Sequence, residues 1–586
     1  MKYNFTWKKY HRWFGLVLSV FMLVFCVSGI ILNHREAFSG CEVSRKWLPA
    51  SYHIKNFNNG VVKGTVVKNS GSLAISEGFS DSILVYGCAG VFLTDYQLST
   101  WQDFNAGLPK SIDERNVRHL VQARDGSLWC AALRDVYRYD ENARQWKKVE
   151  LPGNEERIMD VALGKNSIQV VALTRSRIFE ITPIASNIDV SESPSSLVSS
   201  AKGGVSEKSP DIFEKKSGGF SEKVGTFLGK YRVEAKIIPA PKNYEPKTTL
   251  FKLVWHLHSG EFFGLPGKLV VDAIALVLIV LSITGIIRFI LPYGIRRAKK
   301  VKSEERRVKN SLAAKNRMKR LGKLFAWNMK WHNKIGYVTI VLTLWIAITG
   351  MCLRPPLMVP LVLSKLPQAV GEDGNVWQDK LRAIRWDAVQ GDWLVSTSEG
   401  FLRVDEDFSQ APKMLPDDEC PKLSPMGVTV WESDGKGGWI VGSFRGIYRW
   451  NPVNHKSQIL DYFTNEPCVE TSMIPISDNL ICGYSEDLFD REPMVFDFAK
   501  GVEDAKGQVI NILDEKDAMS DLICETAPMS LWNVALELHV GRCYSPFLGP
   551  LSDLFVFLSG LLITLVLLSG YIISHRRRKK AQARLK

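Results

Sequence analysis

The 586-residue chain contains no Gly-x-Ser-x-Gly, no His-Glu-x-x-His and no phosphate loop, so hydrolase and ATPase readings lack a nucleophile or a cradle. A dinucleotide fingerprint is missing too, and the segments expected inside the cell are too short for a nicotinamide or flavin domain. No His, Cys or carboxylate cluster has zinc spacing. Charge is nearly absent from four runs of 19 to 20 residues: Phe14 to Leu32, Leu269 to Ile287, Ile335 to Leu353 and Leu554 to Ile573. Only Asp272 interrupts them, close to an end. Each run is long enough to cross a bilayer core of about 30 Å, so the sequence predicts an integral membrane protein. The first run has no small-x-small cleavage site after it and is expected to remain as a helix rather than leave as a signal peptide.

What is present is basic charge in three places. The formal net charge is +14, yet residues 1–12, 288–334 and 576–586 together carry 27 basic and 2 acidic side chains. The positive-inside rule puts these segments in the cytoplasm and the two large loops outside. The run Arg576 to Lys580 beside an apolar helix reads as a topology anchor touching anionic lipid, with no nucleic-acid partner. A basic helix over 308–325 is expected, either along the membrane surface or as a solvated connecting helix. Eight of the ten cysteines fall in the external loops, where disulfides are permitted and buried strand thiols are equally compatible.

The chain repeats itself. Lys9 to Gly15 and Lys330 to Gly336 share lysine, an aromatic residue, histidine and glycine in register, and Ser28-Gly29 and Thr349-Gly350 follow each histidine at the same offset. Leu257-His258-Ser259-Gly260 and Leu538-His539-Val540-Gly541 precede the other two runs, which close with Thr284-Gly285 and Ser569-Gly570. The expected fold is a four-helix transmembrane bundle of two repeated two-helix units, with a large extracytoplasmic β-propeller-like domain built from both loops. Blade-like units of about 40 residues fall near 72–109, 115–152, 156–183, 381–416, 425–463 and 472–498, three per loop, and three rarely close alone. The organisation is a tail and first helix (1–33), a β-rich half-propeller insertion (34–268) with a flexible linker (186–219), and a second helix (269–287). A basic cytoplasmic loop (288–334), third helix (335–353), second half-propeller insertion (354–553), fourth helix (554–573) and basic tail (574–586) complete it.

Seven of ten histidines lie near the ends of these helices. A lone interfacial histidine is usually an amphipathic packing residue, but four stand in duplicated register. Twofold pseudo-symmetry would oppose His11 to His332 at the cytoplasmic rim and His258 to His539 at the other. Two axial imidazoles are what a low-spin, electron-transferring b-type haem requires, so two haems are expected, their iron held through these histidines. Without Cys-x-x-Cys-His they would not be thioether-linked. Gly29, Gly285, Gly350 and Gly570 either let a helix approach a flat macrocycle or let helices pack closely. His34, His256 and His575 have no counterpart in the other repeat and are second-choice ligands. No residue is assigned a catalytic role.

At these residues the sequence resembles the PepSY-associated transmembrane family, through the His-Arg-Trp-x-Gly-like start at His11 to Gly15 and the Leu-His-x-Gly-like entries at Leu257 to Gly260 and Leu538 to Gly541. The resemblance implies a bacterial inner-membrane ferric-siderophore reductase with periplasmic loops and both termini cytoplasmic. Electrons would come from quinol or a separate reductase and reduce a periplasmic ferric chelate or redox partner during iron acquisition. The blade-like loops depart from the PepSY modules that family members often carry. The alternative is a membrane-anchored propeller sensor or binding protein without redox activity.

Overall fold

The structure is a computed structural model that describes residues 2–68, 82–183, 226–228, 231–305, 312–370, 373–424, 426–453, 459–468, 479–510, 522–523 and 527–584. The linker expected over 186–219 lies outside the described residues. The chain forms two compact units, one from residues 1–50, 245–369 and 528–586 and the other from 51–244 and 370–527.

The first unit is helical. Its longer helices are α1 (Lys2–Asn33), α2 (Leu250–Ser259), α3 (Gly264–Glu305), α4 (Leu312–Val338), α5 (Ile340–Cys352), α6 (Leu531–His539) and α7 (Ser552–Gln582). Three stretches within it, Trp7–Asn33, Glu261–Gly294 and Arg542–Gln582, are long and apolar enough to cross a membrane. The third apolar run departs from the single straight helix expected over 335–353. It breaks at Thr339 between α4 and α5, which meet at 68°. The Thr339 hydroxyl donates to the Ile335 carbonyl and that of Thr343 to the Thr339 carbonyl, and such back-bonding competes with the helical ladder. The basic helix expected over 308–325 is the first half of α4, whose described part starts at Leu312, so the basic segment and the His332 turn are one continuous helix.

The helices α2 and α6 are short lead-ins to spans. Thr249 and Ser530 cap them by accepting from the backbone N–H groups of Lys252 and Asn533. Each ends on a left-handed glycine, Gly260 (φ 77°) and Gly541 (φ 85°). At Gly260 a β-carbon would also lie 2.3 Å from the Gly267 carbonyl oxygen, so the turn into α3 admits no side chain. These turns place His258 and His539 on the last turn of a short helix, ahead of the span. α1 packs against α3 and α7, α3 against α4, and α7 against α4 and α5. Two small antiparallel ladders join the halves: Glu42–Val43 with Met529–Ser530, and Lys247–Thr249 with Lys365–Pro367.

Among the described residues the second unit holds six small antiparallel sheets in chain order. Their first described strands are Gly64–Val67, His119–Gln122, Ile158–Leu163, Leu381–Asp387, Val430–Ser433 and Ile481–Ser485. Strands such as Ile83–Gly87, Leu128–Ala131 and Val170–Thr174 are buried along their whole length, which explains their continuous apolar runs. Each sheet shares an apolar cluster with the next. Leu84 and Tyr86 meet Leu120 and Trp146; Trp129 and Val136 meet Val161 and Phe179; Leu173 and Ile178 meet Ile384 and Trp393. Phe401 and Leu394 meet Trp431 and Trp450, and Val430 and Ile447 meet Ile481 and Val495. The sixth sheet returns to the first through Cys482, Phe496 and Val502 against Ile83, Val85 and Phe92. The boundaries differ from the sequence expectation at three sheets, of which the sixth runs past 498 through the strand Gly501–Glu503. The first begins at Gly64, ahead of 72, and the third gains Tyr231–Lys236 from beyond the linker, paired with Ile178–Pro183. Only Val233 of that strand is fully buried, so its sequence carries little apolar alternation.

Candidate functional site

All four duplicated histidines lie in the helical unit, and they meet in two pairs. His11 of α1 and His332 of α4 have ring centroids 6.4 Å apart at an interplanar angle of 67°. His258 of α2 and His539 of α6 are 6.1 Å apart at 54°. Along α1 the distance from His11 to Ser28, which contacts the second pair, is about 25 Å by helical rise, so the pairs are separate sites.

Each histidine seats on a Ser/Thr-Gly step of the opposite sequence half. Nδ1 of His11 is 2.9 Å from Ser569 Oγ and 3.1 Å from the Val566 carbonyl oxygen. Nδ1 of His332 is 2.8 Å from Thr284 Oγ1. In the second pair, Nδ1 of His258 is 3.0 Å from Thr349 Oγ1, and Nδ1 of His539 is 2.9 Å from Ser28 Oγ and 3.1 Å from the Phe25 carbonyl oxygen. The glycine after each hydroxyl makes room for the ring. A β-carbon would stand 2.8 Å from His258 Cε1 at Gly350, 2.9 Å from His11 Cε1 at Gly570, 3.3 Å from His539 Cε1 at Gly29 and 3.7 Å from His332 Cε1 at Gly285. Three of these approaches are therefore closer than ordinary packing. Burial lowers His258 to about 3, with His539 beside it adding to the effect, and lowers His539 to about 4. Both rings are neutral near pH 7, the state in which imidazole binds a metal.

The second-choice histidines stand elsewhere. His34 Nε2 is 2.7 Å from Asp272 Oδ2, whose other oxygen accepts from Asn33 Nδ2 at 3.0 Å. The one charge in the second apolar run is thereby partnered. His575 stacks on Tyr571 and Tyr337, with ring centroids 5.8 and 6.2 Å away, and the ring of His256 lies 5.7 Å from that of Trp255. Sequence reasoning gave the Ser/Thr-Gly glycines a role and overlooked the hydroxyls, although the same duplication marks both.

The second unit holds a cavity of about 380 Å³ where first strands of its sheets converge. Two lining residues hold a buried carboxylate behind them: Asp160 lies against Arg385 Nη1 (2.6 Å) and His119 Nδ1 (3.1 Å), and Arg385 Nε donates to the Trp431 carbonyl at 2.9 Å. Burial pushes the Asp160 carboxyl up, but Arg385 and His119 outweigh it and hold it below the ordinary carboxylate range. The pair's stabilisation is thus complete above the unfolded carboxylate pKa and lost as pH falls through the depressed folded value. Arg385→Met would leave that carboxylate buried without its main partner. It is expected to destabilise the second unit by about 3–5 kcal/mol, measured by chemical denaturation. A charge inside the apolar strands Ile158–Leu163 and Leu381–Asp387 was the available sequence signal for this cluster.

A duplicated pair of membrane helices, each carrying histidines at its rims, defines the class of protein. The family model of the PepSY-associated TM region matches residues 4–291 and again 298–578, and the chain belongs to this family. Each match spans one sequence half, so each of the four histidine seats joins the two matched repeats. No curated protein matches the chain. Among solved structures, two crystal structures of an extracellular domain from B. thetaiotaomicron, described as belonging to a one component and a hybrid two component system, are similar at 10% and 8% identity. Their TM-scores are 0.30 and 0.29, covering 80% and 77% of this chain and 43% and 39% of theirs. The chain thus spans less than half the length of these structures, and a likeness at such scores does not define a fold.

Proposed function

We propose that this chain is a haem-dependent transmembrane electron-transfer protein that reduces a ferric chelate or redox partner outside the cytoplasm. The observation that carries the reading is the pair of facing imidazoles at each of two separated sites. Two imidazole nitrogens about 2 Å either side of one metal put ring centroids about 6 Å apart, in line with the 6.4 and 6.1 Å found. Among the described residues no third His, Cys, Asp or Glu converges on either pair, so a bare ion would be left with two protein ligands. A porphyrin brings the remaining four nitrogens with it, and the glycine beside each ring keeps the helix backbone clear of side chains. Bound there, b-type haem supplies one-electron transfer between ferrous and ferric iron. His11 and His332 would hold one group, His258 and His539 the other.

The basic segments at 1–12, 288–334 and 576–586 support a cytoplasmic placement of both termini and a bacterial inner membrane. With the bent α4–α5 counted as one span, the helices make a four-helix bundle, and the six sheets linked cyclically by shared clusters make a six-bladed propeller on the periplasmic side. Quinol or a separate reductase is the electron donor in this reading, and family membership supports a ferric chelate of the siderophore type as acceptor. The purified protein is expected to carry two haems per chain with bis-histidine low-spin spectra. His34→Gln is expected to keep both, because His34 already pairs with Asp272; a wild-type protein without a Soret band would end the proposal. The cavity lined by His119, Arg385 and Glu432 favours a second reading, in which the β unit recognises a ligand and the helices only anchor it. A pigment-free protein would leave that one standing.

A further inference from the structure

Resting on the haem reading, we infer that Ser28, Thr284, Thr349 and Ser569 are positioning residues that lock each ligand histidine in the tautomer protonated at Nδ1, leaving the Nε2 lone pair for iron. Two independent features of the geometry assign that proton. First, every one of these hydroxyls already donates to its own helix: Ser28 to the Val24 carbonyl (2.7 Å), Thr284 to Val280 (2.6 Å), Thr349 to Trp345 (2.8 Å) and Ser569 to Val566 (2.8 Å). A hydroxyl has one proton, so toward the imidazole it acts as acceptor and Nδ1 is the donor. Second, in one histidine of each pair a backbone carbonyl three residues before the hydroxyl faces the same nitrogen. The Phe25 and Val566 oxygens lie 3.1 Å from Nδ1 of His539 and His11. A carbonyl cannot donate.

The same frame occurs four times: a carbonyl, three residues on a hydroxyl, then a glycine, at 25/28/29, 281/284/285, 346/349/350 and 566/569/570. None of the four Nε2 atoms has a protein hydrogen bond among the described residues. A ring protonated at Nε2 keeps its lone pair on Nδ1, against the hydroxyl, and offers none at Nε2 to a metal. The hydroxyl removes that state, and by accepting from Nδ1–H it also raises the basicity of Nε2. Greater ligand basicity favours ferric over ferrous iron, which makes each centre a better electron donor.

The test substitutes the hydroxyls in full-length protein: Ser28→Ala and Thr349→Val at one pair, Thr284→Val and Ser569→Ala at the other. Each change is expected to raise the midpoint potential of its own haem, leave the other unmoved, and weaken retention of that haem by roughly 10-fold. Thr349→Ser and Ser28→Thr restore the acceptor and are expected to keep wild-type potentials. Unmoved potentials in all four hydroxyl-free variants would overturn the inference. A second readout does not need haem. Histidine ¹⁵N chemical shifts of the apoprotein are expected to report Nδ1-protonated rings at these four positions, and Nε2-protonated rings there would overturn the inference even if haem binds. A wild-type protein that never binds haem yet has Nδ1-protonated rings would instead defeat the functional reading alone.

Discussion

Replacing His332 with alanine is expected to halve the haem content and to stop electron passage through the helical unit, while the His258–His539 centre keeps its spectrum. The pairing predicts this asymmetry. His332 faces His11 at 6.4 Å and contacts neither member of the other pair, whose own ring separation is 6.1 Å. With His332 gone only His11 would remain to hold the inner group, and the other pair lies about 25 Å along α1. A donor on the cytoplasmic side then has no relay within reach. His11→Ala is expected to behave in the same way, and His258→Ala or His539→Ala to remove the other half of the haem. Pyridine haemochrome stoichiometry checks the count, and reduction of an external ferric chelate by proteoliposomes with an internal donor checks the passage, expected to fall to background in all four variants. Loss of both haems from each single variant, or of neither, is incompatible with two independent bis-imidazole sites. Retention of one haem also separates a ligand effect from unfolding, since the remaining site needs α1, α2, α5 and α6 in place.

How far the sequence revealed this depends on what a linear pattern records. The four histidines and four glycines were legible because duplication places them in fixed register, and the facing pairs follow from twofold symmetry. Which histidine sits on which Ser/Thr-Gly step was not legible. A repeat is equally compatible with His11 seated on its own half, and only the packing of α1 against α7 brings it to Ser569. The Thr339 break was hidden because the run from Ile335 to Leu353 stays apolar throughout, and hydropathy is blind to hydroxyls that bond their own helix. In the β unit, repeated turn-strand patterns located six sheets to within several residues. The strand Tyr231–Lys236 escaped because Glu234 and Lys236 place polar groups where the other strands are apolar, and because about 50 residues separate it from its partner Ile178–Pro183. Charges inside two apolar strands mark Asp160 and Arg385 singly, but their pairing joins positions from different loops, which no local pattern can report.

The glycines offer the second large effect, and the four positions are expected to differ. Gly350→Ala would bring a methyl group to 2.8 Å from His258 Cε1 and Gly570→Ala one to 2.9 Å from His11 Cε1, whereas at Gly285 the methyl stands 3.7 Å from His332, an ordinary contact. The crowded rings have little freedom to give way, because Thr349 and Ser569 hold their Nδ1 atoms at 3.0 and 2.9 Å. Overpacking of this kind costs about 1–3 kcal/mol, or about 5- to 150-fold in affinity for the group the ring holds. Gly350→Ala is thus expected to empty the His258–His539 site preferentially, Gly570→Ala the His11–His332 site, and Gly285→Ala neither, with Gly29→Ala, at 3.3 Å, between them. Competition for haem with an excess of apomyoglobin measures each site. Were the glycines present only to let helices pack closely, the imidazole distances would not rank the variants, and Gly285→Ala would be as damaging as Gly350→Ala. Under the ligand reading the ranking follows the ring contacts, because the methyl group displaces the nitrogen that iron needs before it disturbs any helix.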